Sequence, residues 1–211
     1  GAVAGNRPVA DEHDDPGPIT WMRKDSLLDK RVWYYARLLK KKNTLVSLDT
    51  IPYFYALSPN FGDPEADLLD QYNRGEVTQE TRLIFEALLR KGPLDTLSLR
   101  KEAHLSRQES TSPFNSALTT LQTQLRVLPV AVSEAGAWKY AFVYDLTHRY
   151  CPDLLEKARE ITETQAVDAL VLLYLKSMGA ATQKEIAALL GFSSFVLANS
   201  LDRLSKNGEI L

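Results

Sequence analysis

The sequence predicts a mainly α-helical chain with small β-hairpin wings, an α+β fold built as tandem winged helix-turn-helix modules. Three observations lead there. Between Thr81 and Asp145, three helical patterns are followed by two strand patterns around a turn, the order of a helix-turn-helix with an attached hairpin. Residues 164–211 repeat the helix, helix, helix, strand order in pattern, though not in identical residues. The chain has 211 residues, 45% of them hydrophobic and 25% charged, which suits a globular protein of one or two domains.

Four segments follow from a pass along the chain. Residues 1–20 form an acidic, Pro/Gly-bearing arm with Asp11, Glu12, Asp14 and Asp15, expected to be extended. Residues 21–80 read as a basic helical region packing on the first module. Within it, residues 21–42 carry eight Lys/Arg and two Asp, and Val32, Tyr35, Ala36, Leu38 and Leu39 fit a helical stripe. Pro52 and Pro59 interrupt the stretch that follows, and a short helix is expected at 65–72.

Residues 81–150 form the first module. Leu83, Ile84, Ala87 and Leu88 share one helix face, and Gly92-Pro93 stops that helix. Asp95 or Thr96 caps the next one. Pro113 sits where a first turn tolerates it. Phe114, Ala117, Leu118, Leu121 and Leu125 give the third helix a clean apolar stripe. Val127–Ser133 and Trp138–Tyr144 have strand composition, with Gly136 in the turn between them. Trp138 and Tyr140 alternate and are expected to share a face packed on a helix.

Residues 151–211 hold a linker helix and a second, wing-poor module. Thr182-Gln-Lys-Glu185 is a capping box. Gly179 and Asn207-Gly208 are stop signals, and Glu209-Ile210-Leu211 reads as the start of a strand.

Composition narrows the function classes. The single cysteine, Cys151, excludes an internal disulfide framework and a cysteine-rich zinc site. His13, His104 and His148 lack ligand spacing, so no metal site is expected. No nucleotide-binding, nucleophile-elbow or zinc-protease signature occurs, and no cofactor is expected. No long apolar run predicts a membrane span, and no signal peptide is visible, so a cytoplasmic protein is expected. The chain begins with Gly1, which suggests a trimmed start. A net charge of −2 gives no global attraction for nucleic acid.

Local charge does. Arg37, Lys40, Lys41 and Lys42 form the most basic stretch, able to follow a phosphate backbone or to dock the acidic arm. Arg100, Lys101 and Arg107 around the second helix, and Lys139 on the wing, are further candidate phosphate clamps. Asn115, Thr119, Gln122 and Thr123 lie on the polar face of the third helix, where they could bond base edges or simply be solvated. Trp33, Tyr34 and Tyr35 with Tyr53, Phe54 and Tyr55 are either stacking platforms or core.

The phrases YYARLLKKKNTLVSLDTIPYFYAL (residues 34–57) and GAWKYAFVYDL (residues 136–146) resemble the AlkZ-related winged-helix proteins, distant relatives of the AlkZ alkyl-purine DNA glycosylases. The likeness covers most of residues 20–160. It implies a winged-helix fold and a DNA partner. The glycosylases use a Gln-x-Gln or Gln-x-Asp motif. Gln122-Thr123-Gln124 shares its letters but lies inside the third helix with Thr in the middle, so no catalytic role is carried over. The first expectation is a non-enzymatic winged-helix protein binding duplex DNA mainly through phosphates. Two alternatives stay open: a glycosylase-like repair enzyme, and a protein-interaction scaffold, with a homodimer possible in either case.

Overall fold

The computed structural model describes residues 24–60 and 62–211. The acidic arm, His13 and Trp21 lie outside them. Strands β1 (Trp33–Arg37) and β2 (Asn43–Ser47) pair antiparallel, with Trp33 opposite Ser47 and Arg37 opposite Asn43. This corrects the helix expected over that stretch. Tyr34, Tyr35 and Ala36 are buried one after another. A strand covered on both faces reads as an unbroken apolar run, and aromatic residues favour the pleat. The helical spacing of Val32, Tyr35 and Leu39 was incidental to that burial.

Helix α1 (Ile51–Ala56) starts with Pro52 in its first turn, and α2 (Pro64–Asn73) is capped by the Asp63 carboxylate, which accepts from the amides of Glu65 and Ala66. Next come α3 (Gln79–Lys91), the short strand β3 (Leu94–Asp95), α4 (Thr96–Glu102) and α5 (Thr111–Thr123). Thr78 caps α3 and Asp95 caps α4. Strands β4 (Val127–Ser133) and β5 (Ala141–Leu146) pair antiparallel, as the sequence suggests, and β3 adds to β5 to give the order β3-β5-β4. The second strand starts at Ala141, so Trp138 and Tyr140 belong to the turn and not to a strand face. Trp138 is 92% exposed instead of packed on a helix.

Two short helices, α6 (Thr147–Tyr150) and α7 (Leu154–Arg159), lead to α8 (Glu163–Met178), α9 (Gln183–Leu190) and α10 (Ser194–Lys206). Both α8 and α9 open with complete capping boxes, Thr162/Gln165 and Thr182/Glu185. Residues 209–211 form no strand, correcting that expectation. A strand needs a hydrogen-bonded partner, and the described residues supply none there.

Three apolar clusters hold these elements. The first joins α3, α4, α5 and the sheet through Leu88, Leu99, Phe114, Leu121 and Leu146. The second joins the β1–β2 hairpin, α1, α7 and the start of β4 through Tyr34, Ile51, Leu125, Leu128 and Leu154. The third holds α8–α10 through Val167, Val171, Ile186, Leu197 and Leu204, with Leu57 packed against it. Each such side chain contributes about 1.5–3 kcal/mol by leaving water. No single helix among the described residues is long and apolar enough to cross a membrane.

Candidate nucleic-acid interface

The polar face of α5 is not free. The end of β1 lies along it, fixed at one residue. The Arg37 amide donates to Gln122 Oε1 at 3.1 Å, and the Thr123 hydroxyl donates to the Arg37 carbonyl at 3.1 Å. Arg37 Nη1 donates to Thr119 Oγ1 at 3.0 Å. Gln122 is 3% exposed and donates its second bond to the Leu118 carbonyl. Gln122 therefore cannot serve as a base-reading side chain in this arrangement, and Thr119 is engaged from both sides, since it also donates to the Asn115 carbonyl. By spacing these residues lie on the polar side of the helix, a face expected to be exposed. That spacing gave no sign that the chain's own hairpin would cover that side. Asn115 stays exposed at the other end of the face.

The same hairpin presents its tip outward. Lys40 and Lys41 adopt left-handed backbone angles, φ 50° and 57°. Three bonds brace the turn: the Lys42 amide to the Leu39 carbonyl (2.9 Å), the Thr44 hydroxyl to the Lys42 carbonyl (2.8 Å), and the Leu39 amide to Thr44 Oγ1 (3.3 Å). Leu39 meets Leu189 and Leu190 of α9 in an apolar groove of about 270 Å³. Lys40, Lys41 and Lys42 are all exposed. No ion pair among the described residues involves them. The alternative in which the acidic arm neutralises them lies outside the described residues.

The remaining candidates separate into two kinds. Arg100 is a brace: Nε donates to the Leu105 carbonyl (3.1 Å), Nη2 to the Arg107 carbonyl and Thr111 Oγ1 (both 3.0 Å), and the guanidinium lies over the Phe114 ring. It ties α4 to the start of α5. Lys101 and Arg107 are exposed, and Lys139 is exposed in the turn between β4 and β5 with φ 49°.

Of the aromatic candidates, Tyr34, Tyr35 and Tyr55 are buried in the core, whereas Trp33, Tyr53 and Phe54 are half-buried. Tyr34 is fully buried, its hydroxyl bonded to Thr147 Oγ1 at 3.0 Å, and burial pushes its phenol well above the ordinary range. Burial pushes the Cys151 thiol up to about 11, so it stays protonated and unreactive near neutral pH. Burial lowers His148, with Arg149 beside it adding to the effect. No cluster of three or more His, Cys, Asp or Glu among the described residues has the geometry of a metal site.

One residue has no counterpart among the candidates above. Arg126 is 3% exposed. Its guanidinium donates to the Pro64 carbonyl (3.0 Å) and Gln124 Oε1 (3.2 Å), and lies 3.5 Å from Gln71 Oε1, so it pins α2 against the exit of α5. This also engages the second glutamine of Gln122-Thr-Gln124. Nothing in a lone arginine after a helix signals burial. Trp138, expected on a strand face, stands exposed in the turn instead.

A family model described as AlkZ related matches residues 3–191. No curated protein and no solved structure matches the chain.

Proposed function

The chain belongs to the AlkZ-related family, and from that premise we propose that it is a winged-helix protein that binds duplex DNA through phosphate contacts without catalysing a reaction on it. Support for the fold comes from the order α3, β3, α4, α5, β4, β5 and the β3-β5-β4 sheet, which is how a helix-turn-helix carries its wing. Support for the partner comes from the family's link to the AlkZ DNA glycosylases.

The observation that carries the reading is the hairpin tip. Three exposed lysines stand on a braced turn with no acidic partner among the described residues. The body of the same hairpin occupies the α5 face that would otherwise read bases. Phosphate contacts position a protein on DNA but carry no sequence information. Binding is therefore sequence-tolerant and strongly salt-dependent.

The test is a salt titration of duplex affinity, wild type against the triple variant K40A/K41A/K42A. Each phosphate contact on B-DNA contributes about 0.9 to the slope of log K against log salt, so removing three should flatten it by about 2.7. A wild type that binds no duplex even at low salt sinks the reading. Incubating the protein with alkylated duplex and assaying for abasic sites covers the enzymatic alternative. Release of a base would replace the non-enzymatic reading.

A second reading has its own observation. Leu172, Leu175, Leu201 and Ile210 line an open groove of about 740 Å³ between α8 and α10. Such a surface suits a protein partner. A mass measured in solution above that of one chain would favour this scaffold role and a homodimer.

A further inference from the structure

The turn between β4 and β5 holds the most exposed aromatic side chain among the described residues. The last strand pair is Ser133 with Ala141. Beyond it, the Lys139 amide donates to the Gly136 carbonyl at 3.1 Å, closing a tight turn. Gly136 (φ 87°) and Lys139 (φ 49°) both take left-handed backbone. Trp138 sits between them, 92% exposed.

What lies behind the turn fixes it. The Tyr140 hydroxyl donates to Asp25 Oδ2 at 3.0 Å, and its ring meets Phe142 edge-on at 5.5 Å. Phe142 in turn packs on Tyr35 and Tyr144, with the Lys24 ammonium over its face. The base of the turn is thus a packed aromatic stack. Its apex is an indole lifted off the protein, with the exposed Lys139 next to it.

We propose that Trp138 is a nucleic-acid contact that stacks on a nucleobase left without a stacked neighbour, while Lys139 takes the adjoining phosphate. The proposal rests on the DNA-binding reading above and extends it from phosphate to base. A convex apex of one flat ring suits entry between bases better than it suits a base-edge code. Aromatic side chains stack on any base, because every base has a π-face. Entry is cheapest where stacking is already broken, as at a mismatch or an abasic gap. The hairpin tip at Lys40–Lys42 then supplies affinity, and Trp138 supplies a preference for disturbed duplex.

The experiment compares a fully paired duplex with the same duplex carrying one abasic site opposite 2-aminopurine. The proteins are wild type, Trp138→Ala and Trp138→Phe. Wild type should bind the gapped duplex roughly 5- to 100-fold more tightly than the paired one, the range expected for one stacked base. It should also change 2-aminopurine emission on binding. W138A should lose both effects while keeping its affinity for paired duplex, and W138F should retain most of the preference. Because the side chain is exposed, neither variant disturbs the core. Paired-duplex binding with W138A equal to wild type on the gapped duplex overturns the proposal alone. No binding of either duplex by wild type overturns the DNA-binding reading and the proposal with it.

Discussion

The units α3–α5 and α8–α10 were built by the same local rules and finished differently. Each first helix is capped by a threonine, Thr78 or Thr162. Each third helix has 13 residues and leaves through the same three bonds. In the first unit the amides of Gln124, Leu125 and Arg126 reach the carbonyls of Thr120, Gln122 and Leu121. In the second, those of Asn207, Gly208 and Glu209 reach Arg203, Ser205 and Leu204. The first unit is then closed by the β3-β5-β4 sheet, and its α5 polar face is covered by the β1–β2 hairpin. The second has no strand among the described residues, an open apolar groove, and Phe195 75% exposed on α10. Caps and apolar stripes suffice to set three helices. Closure is a tertiary event that needs another segment to arrive.

The largest consequence concerns the matched core leucines. Leu121 is 0% exposed and Leu204 is 2% exposed. They occupy the same place relative to the helix exit. Leu121→Ala leaves a void walled by helices and sheet, so about 3–5 kcal/mol is expected. Leu204→Ala lies in a unit with an open side that can relax inward, so about 2–3 kcal/mol is expected. Urea denaturation of both variants measures the difference. Equal losses would mean that closure does not change how a core responds.

The two stop glycines sharpen the contrast at smaller scale. A Cβ on Gly92 would lie 2.6 Å from the Leu88 carbonyl oxygen and 2.9 Å from Asp145 Oδ1. Arg149 crowds the same spot while its guanidinium accepts no relief, donating to the carbonyls of Leu88 (2.8 Å) and Leu89 (2.5 Å). Gly179 has φ 78° and nothing within 4 Å. Gly92→Ala should therefore cost about 2–3 kcal/mol by overpacking, and Gly179→Ala about 1–2 kcal/mol for its positive-φ backbone (φ 78°, ψ −47°) alone. Thermal unfolding of the pair decides it. A larger loss at Gly179 would remove packing as the cause.

The same contrast explains what could be read in advance. The stripe Phe114, Ala117, Leu118, Leu121 and the Thr182 capping box are local signals, and the structure has α5 and α9 where they point. Strands β4 and β5 also pair as their composition suggests. The β1–β2 hairpin was misread as helix because Tyr34, Tyr35 and Ala36 are buried together, which erases the alternation that marks a half-buried strand. The two-residue β3 is shorter than any periodicity. The fate of Thr119 and Gln122 was the hardest to see. Both are hydrogen-bonded to Arg37, which is 82 and 85 residues away in the chain. Lys40–Lys42, by contrast, are exposed as a run of charge ordinarily is.

The smallest effect separates α10 from α5 by pH. In the second unit, α8 and α10 are clamped by Asp168, whose Oδ1 accepts from the Ser200 hydroxyl (2.5 Å) and Arg203 Nη2 (2.7 Å), and whose Oδ2 accepts from Arg203 Nε (2.8 Å). Burial alone would raise this carboxyl, but the bonds from Arg203 and Ser200 outweigh it and hold it below its ordinary 3.8. A depressed carboxyl stabilises the fold above its unfolded value, and that contribution is lost as pH falls through the lower, folded value. The clamp should therefore hold at neutral pH and weaken only below about pH 3.8. The pair is partly exposed, so the loss should be at most about 1 kcal/mol. Across α3 and α5 the packing is instead carried by the apolar Leu88, Phe114 and Leu121, which do not titrate. Amide exchange followed from pH 5 to pH 3 should thus show α10 losing protection before α5. Asp168→Asn, unable to ionise, should lower protection of α10 at pH 5 and remove its dependence on acid. If α5 and α10 lose protection together in the wild type, the carboxylate clamp is not what distinguishes the open unit from the closed one.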